Sequence, residues 1–252
     1  MKKKVLINFL FILLTANYLG AQKTITEEEQ AWFGVFNQTR FSNKWGTWTD
    51  VHFRLKDNFV KEPSQFILRV GPTYYLSDDV RLTAAYSFVN IFPDETHKNI
   101  SQPEHRPFQQ IQWFTKLPFG KLMQWVRLEE RFRRKIKNDN ELSDGYNFNW
   151  RTRCNFALFI PLSKKGFAPN SWQFLLNDEV MVNFGKNIVY NYFDQNRLFG
   201  GFVYQISKES LLQFGYMNVF QQQAAGNKYK NIHTFRLFYS HNFDLREKTE
   251  TK

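Results

Sequence analysis

The chain has 252 residues, of which 42% are hydrophobic and 18% aromatic, and its formal net charge is +11 at pH 7. A mean hydropathy of −0.52 argues against a protein built of membrane-spanning helices, and a single cysteine, Cys154, excludes an intramolecular disulfide. A membrane β-barrel stays compatible with this composition, because only alternate residues of its strands contact lipid.

The amino terminus has the organisation of a secretory signal peptide over residues 1–21. A basic segment, Met1 to Lys4, precedes an apolar run from Val5 to Leu14, and a cleavage site of the A-x-A type ends at Ala21. A helical membrane anchor would need about 20 apolar residues. We therefore predict that the chain is exported and cleaved after Ala21.

The mature chain divides into an acidic lead-in at 22–30, one barrel at 31–245 and a polar tail at 246–252. Residues 31–41, AWFGVFNQTRF, have the composition of a strand. The first of the later strands is expected to start on the periplasmic side, so a strand that precedes it would have to start on the extracellular side. We therefore expect about ten strands, with 31–41 irregular or inserted into the lumen. Twelve strands are the alternative.

Period-two alternation of apolar and polar residues recurs along the chain, and successive strand side chains point to opposite faces. In 146–161, YNFNWRTRCNFALFIP, one face carries Trp150, Cys154 and Phe156, and the other carries Arg151 and Arg153. Ten such segments occur: 45–55, 66–74, 80–88, 107–117, 122–132, 146–161, 172–182, 195–206, 211–221 and 231–245. Ordinary strands have about 5–6 residues, whereas a tilted strand that crosses a bilayer needs about 9–11. The longer length predicts membrane strands.

The connections alternate in length. Short turns at 77–79, 118–121 and 207–210, and a medium one at 162–170, alternate with long polar connections at 92–107, 134–145, 185–194 and 222–230. Short turns on one side and longer loops on the other are typical of outer-membrane barrels. The sequence therefore predicts an all-β, antiparallel transmembrane barrel in the outer membrane of a Gram-negative envelope.

Several short motifs occur in an order that resembles a known family. They are Arg54, Glu104-His105-Arg106, Leu128-Glu129-Glu130-Arg131-Phe132, Arg151-Thr152-Arg153, Asn177-Asp178-Glu179, Phe193-Asp194-Gln195-Asn196-Arg197 and Gly215-Tyr216-Met217. Together they resemble the DUF2490 family over most of the mature chain. The resemblance implies an outer-membrane barrel and supplies no catalytic residues.

A network of charged residues is predicted to line the lumen. Its members are Arg127, Glu129, Arg131, Arg133, Arg151, Arg153, Glu179, Arg197 and Arg236. If the connection at 134–145 closes a symmetric hairpin, Glu129 lies beside Arg151, and Arg153 lies near Glu179 on the next strand. Such a ladder could be a basic constriction that selects anions or a paired brace inside a narrow barrel. We favour the brace, because so few strands leave little room for a wide channel.

The sequence predicts a narrow pore, or a structural or surface-interaction protein, and it does not favour an enzyme. The alternatives are a lipase or deacylase of the outer membrane and a secreted soluble β-sandwich that binds a ligand. No serine is evident in register with His52, His233 or His241. No cofactor or metal motif is present.

The predicted partners follow from this location. They are outer-membrane lipid and lipopolysaccharide, the outer-membrane assembly machinery, and a small anionic solute. Nucleic-acid binding is not expected, because the aromatic residues of this exported chain are committed to strand positions.

Overall fold

The computed structural model describes residues 23–95 and 97–246. The predicted signal peptide lies outside the described residues, as does the polar tail beyond Arg246. Within the described ranges, no helix has the length and hydropathy that a membrane span requires.

Eleven strands form one closed barrel in the described part of the chain. They are β1 (Thr24–Arg40), β2 (Trp45–Lys56), β3 (Glu62–Tyr75), β4 (Val80–Ile91), β5 (Gln102–Leu117), β6 (Gly120–Asn138), β7 (Glu141–Pro161), β8 (Ser171–Phe184), β9 (Phe193–Gln205), β10 (Ser210–Gln222) and β11 (Lys228–Asp244). The prediction of an all-β barrel is confirmed. The β-sandwich alternative is wrong, because a single sheet closes on itself instead of two sheets packing face to face.

The first strand closes the barrel. β1 pairs antiparallel with β2 and parallel with β11, with Val35 opposite Tyr239 in the parallel pair. The expected counts of ten and twelve strands are both wrong. They assumed an even number, but an odd number of alternating strands can close if the first and last run in the same direction. Residues 31–40 and most of the lead-in at 22–30 therefore belong to the barrel wall.

The barrel has an upper end, where β1 begins, and a lower end, where β1 ends. The connections at the upper end are 57–61, 92–101, 139–140, 185–192 and 223–227, and those at the lower end are 41–44, 76–79, 118–119, 162–170 and 206–209. The expectation of a polar loop at 134–145 is wrong, because β6 and β7 continue through it to a turn at Asp139–Asn140. Both faces of this projecting hairpin carry charge, so period-two alternation is absent there.

The burial of side chains is inverted relative to a water-soluble protein. On β7, Arg151 and Arg153 are only 3% and 6% exposed, whereas Phe156 is 53% exposed. The same alternation on the other strands turns polar residues inward and apolar residues outward. An inner apolar cluster, which includes Trp32, Phe199 and Met217, occupies the side of the barrel formed by β7 to β11 and β1.

Candidate functional site

The centre of the interior is an ionic network around Glu129 of β6. Arg151 donates hydrogen bonds from Nε and Nη2 to Glu129 Oε2 at 2.8 and 2.5 Å. Arg153 donates from Nη1 to Glu129 Oε1 at 2.7 Å, and Arg127 Nη1 lies 3.7 Å from the same oxygen. One carboxylate thus serves three guanidinium groups, which is the charge-assisted pairing that a buried ion requires.

The network extends to β8 and β9. Arg153 also bonds Glu179, and Arg197 Nη1 lies 3.4 Å from Glu179 Oε2. Arg151 Nη1 donates to Asp194 Oδ2 at 2.7 Å. Arg151 and Arg153 therefore each tie two carboxylates on different strands, which stiffens four neighbouring strands from the inside.

A second cluster surrounds Glu104 of β5, near the upper end. Its two carboxylate oxygens accept hydrogen bonds from Arg106 Nε at 2.5 Å, Arg131 Nε at 2.6 Å and Arg133 Nε at 2.9 Å. Glu104 is fully buried, while the Arg133 side chain is 38% exposed. Arg131 and Arg133 were predicted site residues, and Glu104 was not, because it had been placed in the connection at 92–107.

A third cluster lies on β2 and β3. Asp50 Oδ1 is 3.0 Å from His52 Nε2, Asp50 Oδ2 accepts from Arg69 Nη1 at 3.3 Å, and the Trp48 indole also donates to Asp50. Sequence reasoning missed these residues, as well as Arg54, Arg106 and Asp194. The signal that could have found them is the strand period, since Asp50, His52 and Arg54 occupy alternate positions on β2.

Arg236 stands apart from these clusters. It is buried on β11 with its guanidinium 3.4 Å from the Phe199 ring centroid and 4.9 Å from that of Phe238. Within the described residues it has no carboxylate within 4.0 Å. The structure therefore places eight of the nine predicted residues in the Glu129 network or in the Glu104 cluster. The ninth, Arg236, packs against aromatic rings.

Positive charge exceeds negative charge in the interior. Among the residues that the structure describes, eight arginines and five carboxylates are buried. Arginine stays protonated in proteins, so the excess of three positive charges cannot be removed by titration. A surplus of buried cations favours an anionic occupant.

An upper and a lower cavity lie inside the described part of the barrel. The upper cavity has a volume of about 700 Å³ and the lower one about 350 Å³. The side chains that border both cavities are Trp32, Arg54, Arg69, Arg153 and Arg197. The lower cavity also has aromatic walls, which include Phe36 and Phe159.

A family model described as a protein of unknown function, DUF2490, matches residues 29–230. The chain belongs to the DUF2490 family. The match begins in β1 and ends in β11, so the family extends around the whole DUF2490 barrel. The resemblance inferred from the short motifs is confirmed. Neither a search of curated proteins nor one of solved structures gave a match.

Among the described residues, one serine–histidine hydrogen bond lies on the outer face of this DUF2490 barrel. Ser210 Oγ lies 2.6 Å from His241 Nδ1, because the two residues stand opposite each other on β10 and β11. The expectation that no serine is in register with a histidine is therefore wrong. The His241 ring also contacts Tyr239 and Phe243, and among the described residues no carboxylate lies within 4.0 Å to orient it.

The lower rim of the DUF2490 barrel carries exposed charge. Arg40 Nη1 donates to Asp78 Oδ1 at 2.7 Å, and this hydrogen bond holds the pKa of the Asp78 carboxyl below its ordinary value.

Within the described residues, no group of three or more His, Cys, Asp or Glu side chains could hold a metal ion.

Proposed function

We propose that this DUF2490 protein is an outer-membrane β-barrel with a braced, charged interior, which acts as a binding or structural protein and not as an open pore. The observation that carries the proposal is the inverted burial, with arginines and carboxylates inside and apolar side chains outside. In water such an outer surface would be a large aggregation-prone patch. In a bilayer it is the surface that lipid requires.

The outward apolar side chains form a continuous band around the barrel. Exposed members, one on each of the eleven strands, are Val35, Val51, Val70, Leu82, Ile111, Val126, Phe156, Leu176, Leu198, Tyr216 and Phe235. Aromatic pairs lie near both borders of this band, and at the upper border the rings of Trp150 and Phe184 are 6.2 Å apart. At the lower border the rings of Trp45 and Tyr74 are 4.9 Å apart and those of Trp172 and Tyr204 are 4.7 Å apart. Aromatic girdles of this kind mark the two membrane interfaces of barrels.

The interior supports closure over conduction. The ion pairs of Glu129 and Glu179 join β6, β7, β8 and β9, and Arg127 reaches across the lumen to within 6.0 Å of the Trp48 ring centroid on β2. Barrels with few strands are filled by their own side chains. A brace of this density favours a plugged barrel over the narrow pore that the sequence left open.

The partners proposed on this basis are the lipids and lipopolysaccharide of the outer membrane. The last strand, β11, carries Phe235, Leu237, Tyr239 and Phe243 on its outward face, an alternation suited to the outer-membrane assembly machinery. Export through the predicted signal peptide is part of the same proposal.

The test uses the full chain expressed with its amino-terminal segment. The barrel should be found in the outer-membrane fraction, resist extraction at high pH and migrate differently on a gel before and after boiling in detergent. Recovery of the whole chain in the soluble fraction would refute the membrane placement. Purified protein in a planar bilayer should give no steady conductance, and a stable ohmic conductance would restore the pore interpretation.

A further inference from the structure

We propose that the upper cavity is a binding site for a small hydroxylated organic anion with at least two phosphate or carboxylate groups, such as an acidic or phosphorylated saccharide. This inference rests on the proposed function in one respect, namely that a braced interior retains a ligand. It does not depend on the placement of the barrel in a membrane.

The walls of the upper cavity carry a large excess of positive charge. The basic side chains among them are Arg54, Arg69, Arg106, Arg131, Arg133, Arg151, Arg153, Arg197 and Lys186. Among the described residues that line it, Asp194 is the one carboxylate. Glu104 and Glu129 lie behind the arginines that they bond, so the cavity itself presents guanidinium groups. A cleft lined by one sign of charge concentrates the opposite charge.

Arg54 is the arginine of this cavity wall that no described carboxylate neutralises. Its side chain is buried at 7% exposure, and its ring partner is Trp32, whose centroid lies 3.5 Å from the guanidinium carbon. Its hydrogen bond runs from Nη1 to the neutral Gln65 Oε1 at 2.9 Å, and its buried Nε has no partner. Among the described residues, no carboxylate lies within 4.0 Å of Arg54. A buried, uncompensated guanidinium is costly unless an anion accompanies it.

The Glu104 cluster supplies the second anionic subsite. Three arginines share this one carboxylate, which leaves two positive charges uncompensated in the group. Arg106, Arg131 and Arg133 all line the same cavity as Arg54. Planar guanidinium groups match phosphate and carboxylate oxygens through paired N–H donors. Arg54 on β2 and this cluster on β5 and β6 line different strands of the same cavity, so a ligand with two anionic groups could engage both.

The remaining walls indicate a hydroxylated scaffold between those groups. Amide side chains line the cavity at Gln30, Gln65, Asn147, Asn149, Asn183, Asn187, Asn191, Gln195, Gln221, Gln222 and Gln223. Amides can donate to and accept from hydroxyl groups. The volume of about 700 Å³ is far more than an inorganic ion requires and falls in the range of small-molecule sites.

The test is calorimetric titration of the detergent-folded full-length mature protein. Its probes are glucose 1,6-bisphosphate, digalacturonate, inorganic phosphate and uncharged sucrose. At least one of the two dianionic sugars should bind at least about tenfold more tightly than sucrose and inorganic phosphate, and the affinity should fall as salt is added. Equal affinity for sucrose and for both dianions, or no binding of either dianion, overturns the inference. The proposed function would still stand if the same sample shows the gel shift on boiling.

Two variants identify the site. Arg54→Gln should weaken binding of the dianion about tenfold or more, because it removes a charge that the ligand neutralises. Arg236→Gln is the matched control, since it removes another buried arginine without a carboxylate partner but lines only the lower cavity. Equal losses in the two variants overturn the assignment to the upper cavity.

If Arg54→Gln fails to fold, Lys186→Gln replaces it, because Lys186 lies in the exposed connection at 185–192 and should cost binding about twofold to threefold. Unchanged affinity in Lys186→Gln then counts against the site. Displacement of the bound dianion by lipopolysaccharide micelles indicates that the anionic sugar is attached to a membrane, and retention of the dianion indicates a free solute. Either result supports the site.

Discussion

Arg151 of β7 stands directly opposite Glu129 of β6 and donates two hydrogen bonds to one oxygen of that carboxylate, at 2.8 and 2.5 Å. The symmetry of the β6–β7 hairpin was enough to place these two residues together. Their pairing converts a ladder of isolated charges into a brace, because Arg151 also bonds Asp194 of β9. Because Glu129 lies among three arginines, its loss should matter strongly.

Replacement of Glu129 by glutamine should destabilise the barrel strongly. The change leaves three buried guanidinium groups short of a counter-charge, and the loss of one partner of a buried ion pair costs about 3–5 kcal/mol. The free energy of unfolding, measured from the urea dependence of the gel shift, should fall by this amount. Glu62→Gln is the control, because Glu62 is exposed at the start of β3. A fall no larger than that of the control would show that Glu129 does not brace the interior.

If the barrel lies in a membrane, arginine substitutions at two exposed apolar positions should differ in their cost to the free energy of folding. Leu176 is 44% exposed near the middle of β8, and Val189 is 62% exposed in the connection at 185–192. Leu176→Arg should cost about 2–4 kcal/mol for folding into lipid vesicles, because it puts a charge near the bilayer midplane. Val189→Arg should stay within about 0.5 kcal/mol of the parent protein. Similar values for the two variants would argue for a barrel in water.

Adjacent glycines on β9 should respond differently to alanine. A Cβ at Gly201 would lie 2.3 Å from the Phe214 carbonyl oxygen and 2.6 Å from the Phe199 ring, whereas at Gly200 it would meet nothing within 4 Å. Gly201→Ala should lower the free energy of unfolding by about 1–3 kcal/mol through overpacking. Gly200→Ala should change it by less than about 0.5 kcal/mol. Equal tolerance of the two changes in urea unfolding would mean that β9 and β10 do not approach this closely.

Closure by the parallel β1–β11 pair predicts a specific cross-link. In a Cys154→Ala background, cysteines at Val35 and Tyr239 should be joined in high yield by oxidation or by a short bis-thiol reagent, because the two residues are directly paired. Cysteines at Val35 and Phe243 should not react, since four strand residues add about 13 Å. Cross-linking of the second pair in preference to the first would show a different closure.

Much of the fold follows from the period of the sequence. Ten of the eleven strands are visible as alternating segments, because lipid-facing and lumen-facing positions must differ in polarity along each strand. The alternation did not identify β1 as part of the wall, nor the ends of β6 and β7 that meet at Asp139–Asn140. The projecting part of β6 and β7 carries charge on both faces, as Lys137 and Glu141 illustrate with their 3.0 Å ion pair at the rim. Without a polarity difference, no period distinguishes strand from loop.

The candidate site could be predicted only within a hairpin. Glu129 and Arg151 meet through a two-residue turn, so their register depends on nearby residues. Arg54 stands opposite Trp32 within the β1–β2 hairpin, but the sequence did not place residues 31–41 in the wall, and it placed Glu104 in a connection because the start of β5 was not apparent. The bond of Arg151 to Asp194 joins β7 to β9, which are not hairpin neighbours. Arg236 was predicted to join the network, and its guanidinium instead stacks on Phe199.

The sequence by itself determined that each long strand has one apolar and one charged face, and that the chain belongs with the DUF2490 proteins. The tertiary structure decided that β1 closes an odd-numbered barrel against β11, and which charges come together inside it. The physical reason is the range of the interactions. Alternation is a property of neighbouring residues, whereas closure joins Thr24 to Lys228 across the whole chain, and only that closure encloses the surplus of arginines inside the barrel.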